Sequence, residues 1–196
     1  MLTLGLYNTY DKIKVLDIHY RGIARGAPIA YAFGFNLALV GFPYEFEQQE
    51  LVEFVRGNTT IGESGAYLQK LHEEKRLSVF DIPKKGFPAQ YGSLVVTSSH
   101  PEKKKAVTSE QMADMMARNK SLFILIGLGP KGLPKEYFEM APYHLDITDG
   151  RGISFETCTA IGAICAKLST MADHRRKEIR TDKQLMWKGH EQYGTE

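Results

Sequence analysis

The chain has 196 residues, of which 43% are apolar, enough to bury one substantial core. Twenty-five basic side chains against 23 acidic ones leave a formal charge of +2, which excludes a nucleic-acid coat and a polybasic membrane binder. No apolar run approaches the ~20 residues that span a bilayer, and the opening residues lack the basic flank and apolar stretch of a secretion signal. A soluble, cytoplasmic protein without membrane contact is expected. Cys158 and Cys165 fall in one helical pattern, ~10 Å apart along its axis, too far to form a disulfide with each other; both read as small core residues.

Strand-like runs alternate with helical patterns. Leu2–Tyr7 reads as a strand, Ile23–Phe33 as a helix, Asn36–Gly41 as a strand, and Glu45–Arg56 and Glu63–Lys75 as helices. Leu77–Phe80 and Leu94–Thr97 read as strands, Ser109–Ala117 as a helix capped by Ser109, and Leu122–Ile126 as a strand. Several strands are continuously apolar, as strands covered on both faces by helices are. The alternation predicts an α/β fold with a mostly parallel sheet flanked by helices. Residues 1–172 read as one domain. Within it, residues 57–92 are broken by Gly-Asn, Ile-Pro and Gly-Phe-Pro and form a possible insertion. Residues 173–196 read as a charged, loosely held tail that could dock through Met186 and Trp187.

The chemistry concentrates between Leu122 and Leu168. The apolar strand empties into Gly127-Leu128-Gly129-Pro130-Lys131-Gly132-Leu133-Pro134, a structured loop with close backbone approach. A helical turn, Lys135–Glu139, and a short strand, His144–Thr148, follow. A second tight loop, Asp149-Gly150-Arg151-Gly152, precedes a helix opened by Ser154 and rich in small residues. Ligands of open α/β sheets bind beyond the carboxyl ends of the strands, so the two loops would wall one pocket. A P-loop is excluded because Gly132 is followed by Leu133-Pro134 rather than lysine and a hydroxyl. Gly127, Gly129 and Gly132 fit G-x-G-x-x-G formally. However, Pro134 arrives before a long helix could offer its amides to a pyrophosphate, which leaves a nucleotide-binding oxidoreductase as a weaker reading.

The runs LFILIGLGPKGLP (122–134) and HLDITDGRGISFETCTAIGAICA (144–166) resemble the C-terminal half of the SPOUT (SpoU–TrmD) superfamily of α/β-knot methyltransferases, and more closely a small, mostly archaeal group of SpoU-like proteins. RGIARGAPIAYAFGFNLALV (21–40) is similar, more loosely, to the N-terminal motif of that family. The resemblance implies a C-terminal deep trefoil knot, a homodimer, S-adenosyl-L-methionine as cofactor and tRNA or rRNA as substrate. It places the cofactor against Ile126, Gly127, Leu128, Gly129 and Gly132, with Leu145 and Ile147 lining the adenine pocket and Gly152, Ser154 and Phe155 closing the third side.

Arg25 matches the arginine of the family motif. Arg21 stands near the expected asparagine, Gly129-Pro130 where a glutamate is usual, and Glu156 where an asparagine is usual. Arg25, Arg21 and Glu156 are therefore the candidate catalytic residues, each with a plainer counterpart: a surface ion pair for the arginines, a helix-end acid for Glu156. The departures keep open a catalytically silent SPOUT-fold RNA-binding or assembly module. His144 reads more simply as a hydrogen-bonded structural residue. Asp146 and Asp149 read as turn and cap residues, since no further ligand spacing supports a metal. The runs Lys103–Lys105 and Arg175–Lys177 are candidates for RNA-backbone contact, or ordinary solvated surface.

Overall fold

The computed structural model describes residues 1–45, 47–59, 64–84, 86–129 and 131–192, with side chains from 183 onward, and that of 64, left out. Seven strands form one sheet: β1 (Leu2–Tyr7), β2 (Asn36–Val40), β3 (Leu77–Phe80), β4 (Ser93–Thr97), β5 (Ala106–Val107), β6 (Leu122–Gly127) and β7 (Tyr143–Leu145). Their order is β3-β2-β1-β6-β4-β7-β5. Every pairing is parallel, with Leu6 opposite both Leu39 and Ile126, and Val95 opposite Ile124. Each strand therefore ends at the same edge.

The helices are α1 (Asp17–Ala32), α2 (Gln48–Gly57), α3 (Ser64–Glu73), α4 (Ser109–Ala117), α5 (Lys135–Met140) and α6 (Thr157–Gln192). Alternation along β6 sorts the core. Leu122, Ile124 and Ile126 join a cluster with Ile23, Leu51, Leu68, Met112, Ile161 and Leu168, contributed by α1, α2, α3, α4 and α6. Phe123 and Leu125 point the other way, into an aromatic layer with Tyr91, Tyr137, Phe80 and Phe87. Part of the segment read as a possible insertion thus supplies the edge strand β3 and, through Phe80, Phe87 and Tyr91, the cover of that second face.

Several boundaries differ from expectation, α2 beginning at Gln48 rather than Glu45 among them, and four of the differences have a local reason. Helix α1 begins six residues before Ile23, because the His19 ring Nδ1 accepts the Leu16 N–H at 3.0 Å and closes the first turn. The cap of α4 is Thr108, not Ser109: Thr108 and Gln111 exchange bonds in a capping box. Strand β7 stops at Leu145, since the Asp146 carboxylate captures the Thr148 N–H at 2.8 Å and turns the chain. Beyond Asp173 the backbone continues as helix to Gln192, where a tail was expected. Arg175 is paired to Asp114 of α4 at 2.9 Å and Arg176 to Asp173 at 2.7 Å. Glu63, the expected start of α3, lies outside the described residues, as do Pro130 and the side chains of Met186 and Trp187. Among the described residues no helix is long and apolar enough to cross a membrane.

Candidate functional site

Strands β4, β6 and β7 end side by side, and the loops that leave them enclose a cleft of ≈ 470 Å³, within the range of small-molecule sites. Ile126, Gly127, Gly129 and Gly132 line it from the β6 loop, and Leu145, Ile147, Ser154 and Phe155 from the chain after β7. The structure thus brings eight of the ten expected cofactor residues into one cavity. Leu128 is not among them: it is buried against Gly22 of α1, where an added Cβ would lie 2.7 Å from its Cδ1. Gly152 stands behind the wall, its φ of +66° bending the second turn and its N–H directed at Asp146 Oδ2 at 3.4 Å.

Sequence reasoning missed Thr97, Ser98 and Ser99, which line the cleft from the end of β4. The rule that parallel strands present ligands at their carboxyl ends was the available signal. Ser98 N–H bonds to Leu145 O at 3.0 Å, and the Ser99 and Ser154 hydroxyls are 2.8 Å apart. Ser154, expected to open the last helix, instead ties the segment before α6 to the β4 loop. Thr157 ties the same segment to the β6 loop through its hydroxyl and Gly127 O, 3.1 Å apart.

Asp146, 4% exposed, organises the second turn. One oxygen accepts from Thr148 N–H and Oγ1 at 2.8 and 2.6 Å, the other from Gly150 N–H at 3.0 Å. Desolvation pushes its carboxyl up, but the hydrogen bonds from Thr148, Gly150 and Gly152 prevail and hold it below the usual range. Asp149 accepts Ser109 N–H at 2.7 Å and the Lys167 ammonium at 2.6 Å, joining the turn to α4 and α6. His144 is buried; its Nδ1 accepts Glu102 N–H at 3.2 Å and its Nε2 bonds Phe138 O at 2.8 Å. All three residues are structural here, as the plainer readings had them.

A second cavity of ≈ 350 Å³ shares Gly129, Phe155 and Thr157 with the cleft and is lined further by Tyr10, Ile18, Arg25, Glu156 and Cys158. Two of the three candidate catalytic residues meet there. Glu156 carries a structural task as well: its Oε2 accepts Cys158 and Thr159 N–H at 2.9 and 3.2 Å, capping α6. Burial pushes the Cys158 thiol up and Glu156 adds to this, against a hydrogen bond from Arg25. Arg21 lies elsewhere, in an exposed ion pair with Asp17 at 3.2 Å, which is its plainer reading.

Three of the six remaining basic candidates are engaged, while Lys103, Lys104 and Lys177 are exposed. Lys105 donates to Phe138 O and Glu139 O, and Arg175 and Arg176 are held by α4 and α6. A larger cavity, ≈ 830 Å³, lies between α4 and α6. Its Asp114 is already paired with Arg118 and Arg175, and no strand-end glycine loop reaches it.

The residues of the cleft suit a sulfonium cofactor better than a nucleotide. Its walls mix apolar side chains, Ile126, Leu145, Ile147 and Phe155, with the uncharged hydroxyls of Thr97, Ser98, Ser99, Ser154 and Thr157. The wall carboxylate of Asp146 disfavours a pyrophosphate, and among the described residues Lys131 is the one cation lining it, on the exposed side. The helix that follows the loop, α5, has only six residues, too short for the anion site that a dinucleotide fold requires. Among the described residues, no group of three or more His, Cys, Asp or Glu could hold a metal ion.

Comparison with known proteins places the family and the fold. The chain is 45% identical over 165 residues to an uncharacterised protein of Methanocaldococcus jannaschii, covering 84% of this chain and 91% of that one. In fold it is similar to a probable methylase family protein of Haemophilus influenzae, with a TM-score of 0.60 at 16% identity over 90% of this chain and 68% of that one. TrmJ of Z. mobilis superposes with a TM-score of 0.55 at 16% identity, over 87% and 70% of the two chains. The SpoU methyltransferase AviRb of Streptomyces viridochromogenes, in complex with AdoMet, gives 0.53 at 15% identity over 86% of this chain and 57% of that one. Residues 2–169 match the family described as a protein of unknown function, DUF531; the chain belongs to that family, and its fold is the one shared by SpoU- and TrmJ-type SPOUT methyltransferases.

Proposed function

We propose that this protein is an S-adenosyl-L-methionine-dependent methyltransferase of the α/β-knot type acting on tRNA or rRNA. The observation that carries the reading is the junction of two cavities: a cleft of mixed apolar and hydroxyl lining at the ends of β4, β6 and β7, meeting at Gly129 and Phe155 a second cavity that holds Arg25 and Glu156. When bound, the cofactor supplies an electrophilic methyl group on sulfur. The chain supplies walls and alignment: Ile126, Leu145 and Ile147 for the adenosine, backbone groups of the β6 loop and the turn after β7 for its polar edge, and Arg25 facing the acceptor. Such transfer needs chiefly near-attack geometry and one base for the acceptor proton. Glu156 remains accessible for that role, since only one of its oxygens is committed to the cap.

The knot follows from the same reading. The segment before α6 is held to the β4 loop by Ser154 and to the β6 loop by Thr157, as a chain drawn between those loops would be. A homodimer is supported by apolar side chains left uncovered near the cavities, Ile153 at 53% and Phe155 at 42% exposure. Calorimetry with S-adenosylhomocysteine tests the cofactor site: micromolar binding is expected, and its absence would end the enzyme reading. Labelled methyl transfer to total tRNA and rRNA tests the activity. Cofactor binding without transfer would favour a silent RNA-binding module, a reading helped by the capping of Glu156 and the pairing of Arg21.

A further inference from the structure

The residues after β1 are more rigidly built than a connecting loop requires. Asn8 is fully buried and satisfied in every direction. Its Nδ2 donates to Asp11 O and Gly41 O, both at 2.9 Å, and its Oδ1 accepts Tyr10 N–H at 2.9 Å. The His19 ring, also fully buried, completes the clamp. Its Nδ1 accepts the Leu16 N–H, so its Nε2 carries the proton and donates to Asn8 Oδ1 at 3.1 Å. Phe42 and Tyr10 set their rings edge-on to His19 at 5.7 and 6.3 Å. Buried polar networks satisfied this fully fix one conformation.

What the clamp fixes is Tyr10. A Cβ added at Gly129 would lie 3.0 Å from Tyr10 Cε2, so the phenol rests directly on the glycine that separates the cleft from the second cavity. Two aromatic residues, Tyr10 and Phe155, line that cavity beside Gly129, with aliphatic Ile18 and Leu128. Its polar groups are few: the Arg25 guanidinium, the Glu156 carboxylate and the Thr157 and Cys158 side chains. Flat apolar faces with a few charged groups at the edge match a nucleobase, which has a π-face and a rim of donors and acceptors. At ≈ 350 Å³ it has room for a nucleobase.

We infer that the second cavity receives a single unpaired nucleobase, and that Tyr10, locked by the Asn8–His19 clamp, is its stacking wall and the residue that positions it beside the cleft. The inference rests on the methyltransferase reading for its biological sense, but not for its test. The base is unpaired because a stacked duplex cannot present a base face to a side chain.

The test measures binding of a short unstructured RNA, of the same RNA with abasic sites, and of free nucleoside monophosphates, all with S-adenosylhomocysteine present. Tyr10→Ala should weaken the intact RNA by about 10-fold or more while Tyr10→Phe, which keeps the ring, should not. S-adenosylhomocysteine affinity should be unchanged in both. His19→Gln acts only through Tyr10, so its loss should not add to that of Tyr10→Ala in the double variant; if His19→Gln fails to fold, the Tyr10 pair still decides. A free nucleotide bound with the same Tyr10 dependence would support the pocket and identify a mononucleotide as its occupant. The inference is overturned if abasic RNA binds as tightly as intact RNA, which would show a site reading charge, or if Tyr10→Ala leaves RNA affinity unchanged. Failure of S-adenosylhomocysteine to bind the parent protein would instead strike the cofactor reading and leave the RNA comparison standing.

Discussion

The β6 loop and the turn after β7 face each other across the cleft, and both are rich in glycine, yet Gly127 of the first is needed for a different reason from Gly150 and Gly152 of the second, whose positive φ only Gly132 of the β6 loop shares. At Gly127 an added Cβ would lie 2.8 Å from the Gly132 carbonyl carbon and 3.1 Å from Leu133 N, backbone atoms that cannot turn aside. At Gly150 nothing lies within 4 Å, and at Gly152 only Ser99 O at 3.8 Å; there glycine answers to φ values of +91° and +66°. The first loop is closed by contact with itself. The second is shaped from outside, by one buried carboxylate that gathers its N–H groups. Two glycine-bearing loops therefore fail in different ways.

The sharpest way to break the comparison is Gly127→Ala. The β6 loop must open to admit the methyl group, which costs stability by about 1–3 kcal/mol. Because the loop is also a cleft wall, S-adenosylhomocysteine affinity should fall by about 100-fold, ~3 kcal/mol, read by calorimetry. At Gly129 the nearest obstructing atom is the Thr9 hydroxyl, at 2.6 Å, which can rotate, while Tyr10 need give only a few tenths of an ångström, so Gly129→Ala should be milder.

Asp146→Asn tests the opposite wall. The amide keeps the volume but replaces charged acceptors for the Thr148 and Gly150 donors, and about 2–3 kcal/mol of stability should go, measured by urea unfolding. The pH dependence has a definite sign. The folded carboxyl is held below its ordinary 3.8, so its contribution is present above that value and lost as pH falls through the folded pKa. The Asn variant should lack that acid-side fall. Gly152→Ala comes next: it imposes left-handed geometry on a residue with a Cβ, for about 1–2 kcal/mol, with no steric obstruction to add to it.

The difference between the loops also explains what the sequence could disclose. A continuously apolar β6 opening into glycines announces a buried parallel strand and a strand-end site, because composition and position carry that message. The caps were harder. Ser109 and Ser154 have the right side chains, but Thr108 and Glu156 are the residues whose oxygens meet the first free N–H groups; which of several polar neighbours caps is settled by the angle at which the chain arrives. The extent of α6 was hidden because its apolar spacing, Ile161, Ile164, Leu168 and Ala172, ends where its core contacts end. Beyond that point helix support passes to ion pairs such as Arg175–Glu178 at 2.9 Å, which a reading based on hydrophobic period takes for a tail. The second cavity was invisible for another reason: Tyr10, Arg25 and Cys158 are far apart in the chain and meet only when α1 and α6 dock.

The comparison extends to a third wall, the Asn8–His19 clamp, where the smallest effect is expected and the sign is again fixed. Burial lowers the His19 pKa from its ordinary 6.5, with Asp11 opposing, and its Nδ1 is already occupied as an acceptor by the Leu16 N–H. As pH falls below about 6.5 the unfolded chain takes up this proton while the folded one resists. Stability from the neutral ring is thus complete above the unfolded value and drains away as pH drops toward the folded one. The difference between wild-type and His19→Gln stability curves isolates this group from the other histidines. If it narrows on acidification, the clamp is held by a neutral imidazole; a constant difference would mean that His19 contributes packing alone, and the wall under Tyr10 would then resemble the β6 loop, closed by contact, rather than the turn held by Asp146.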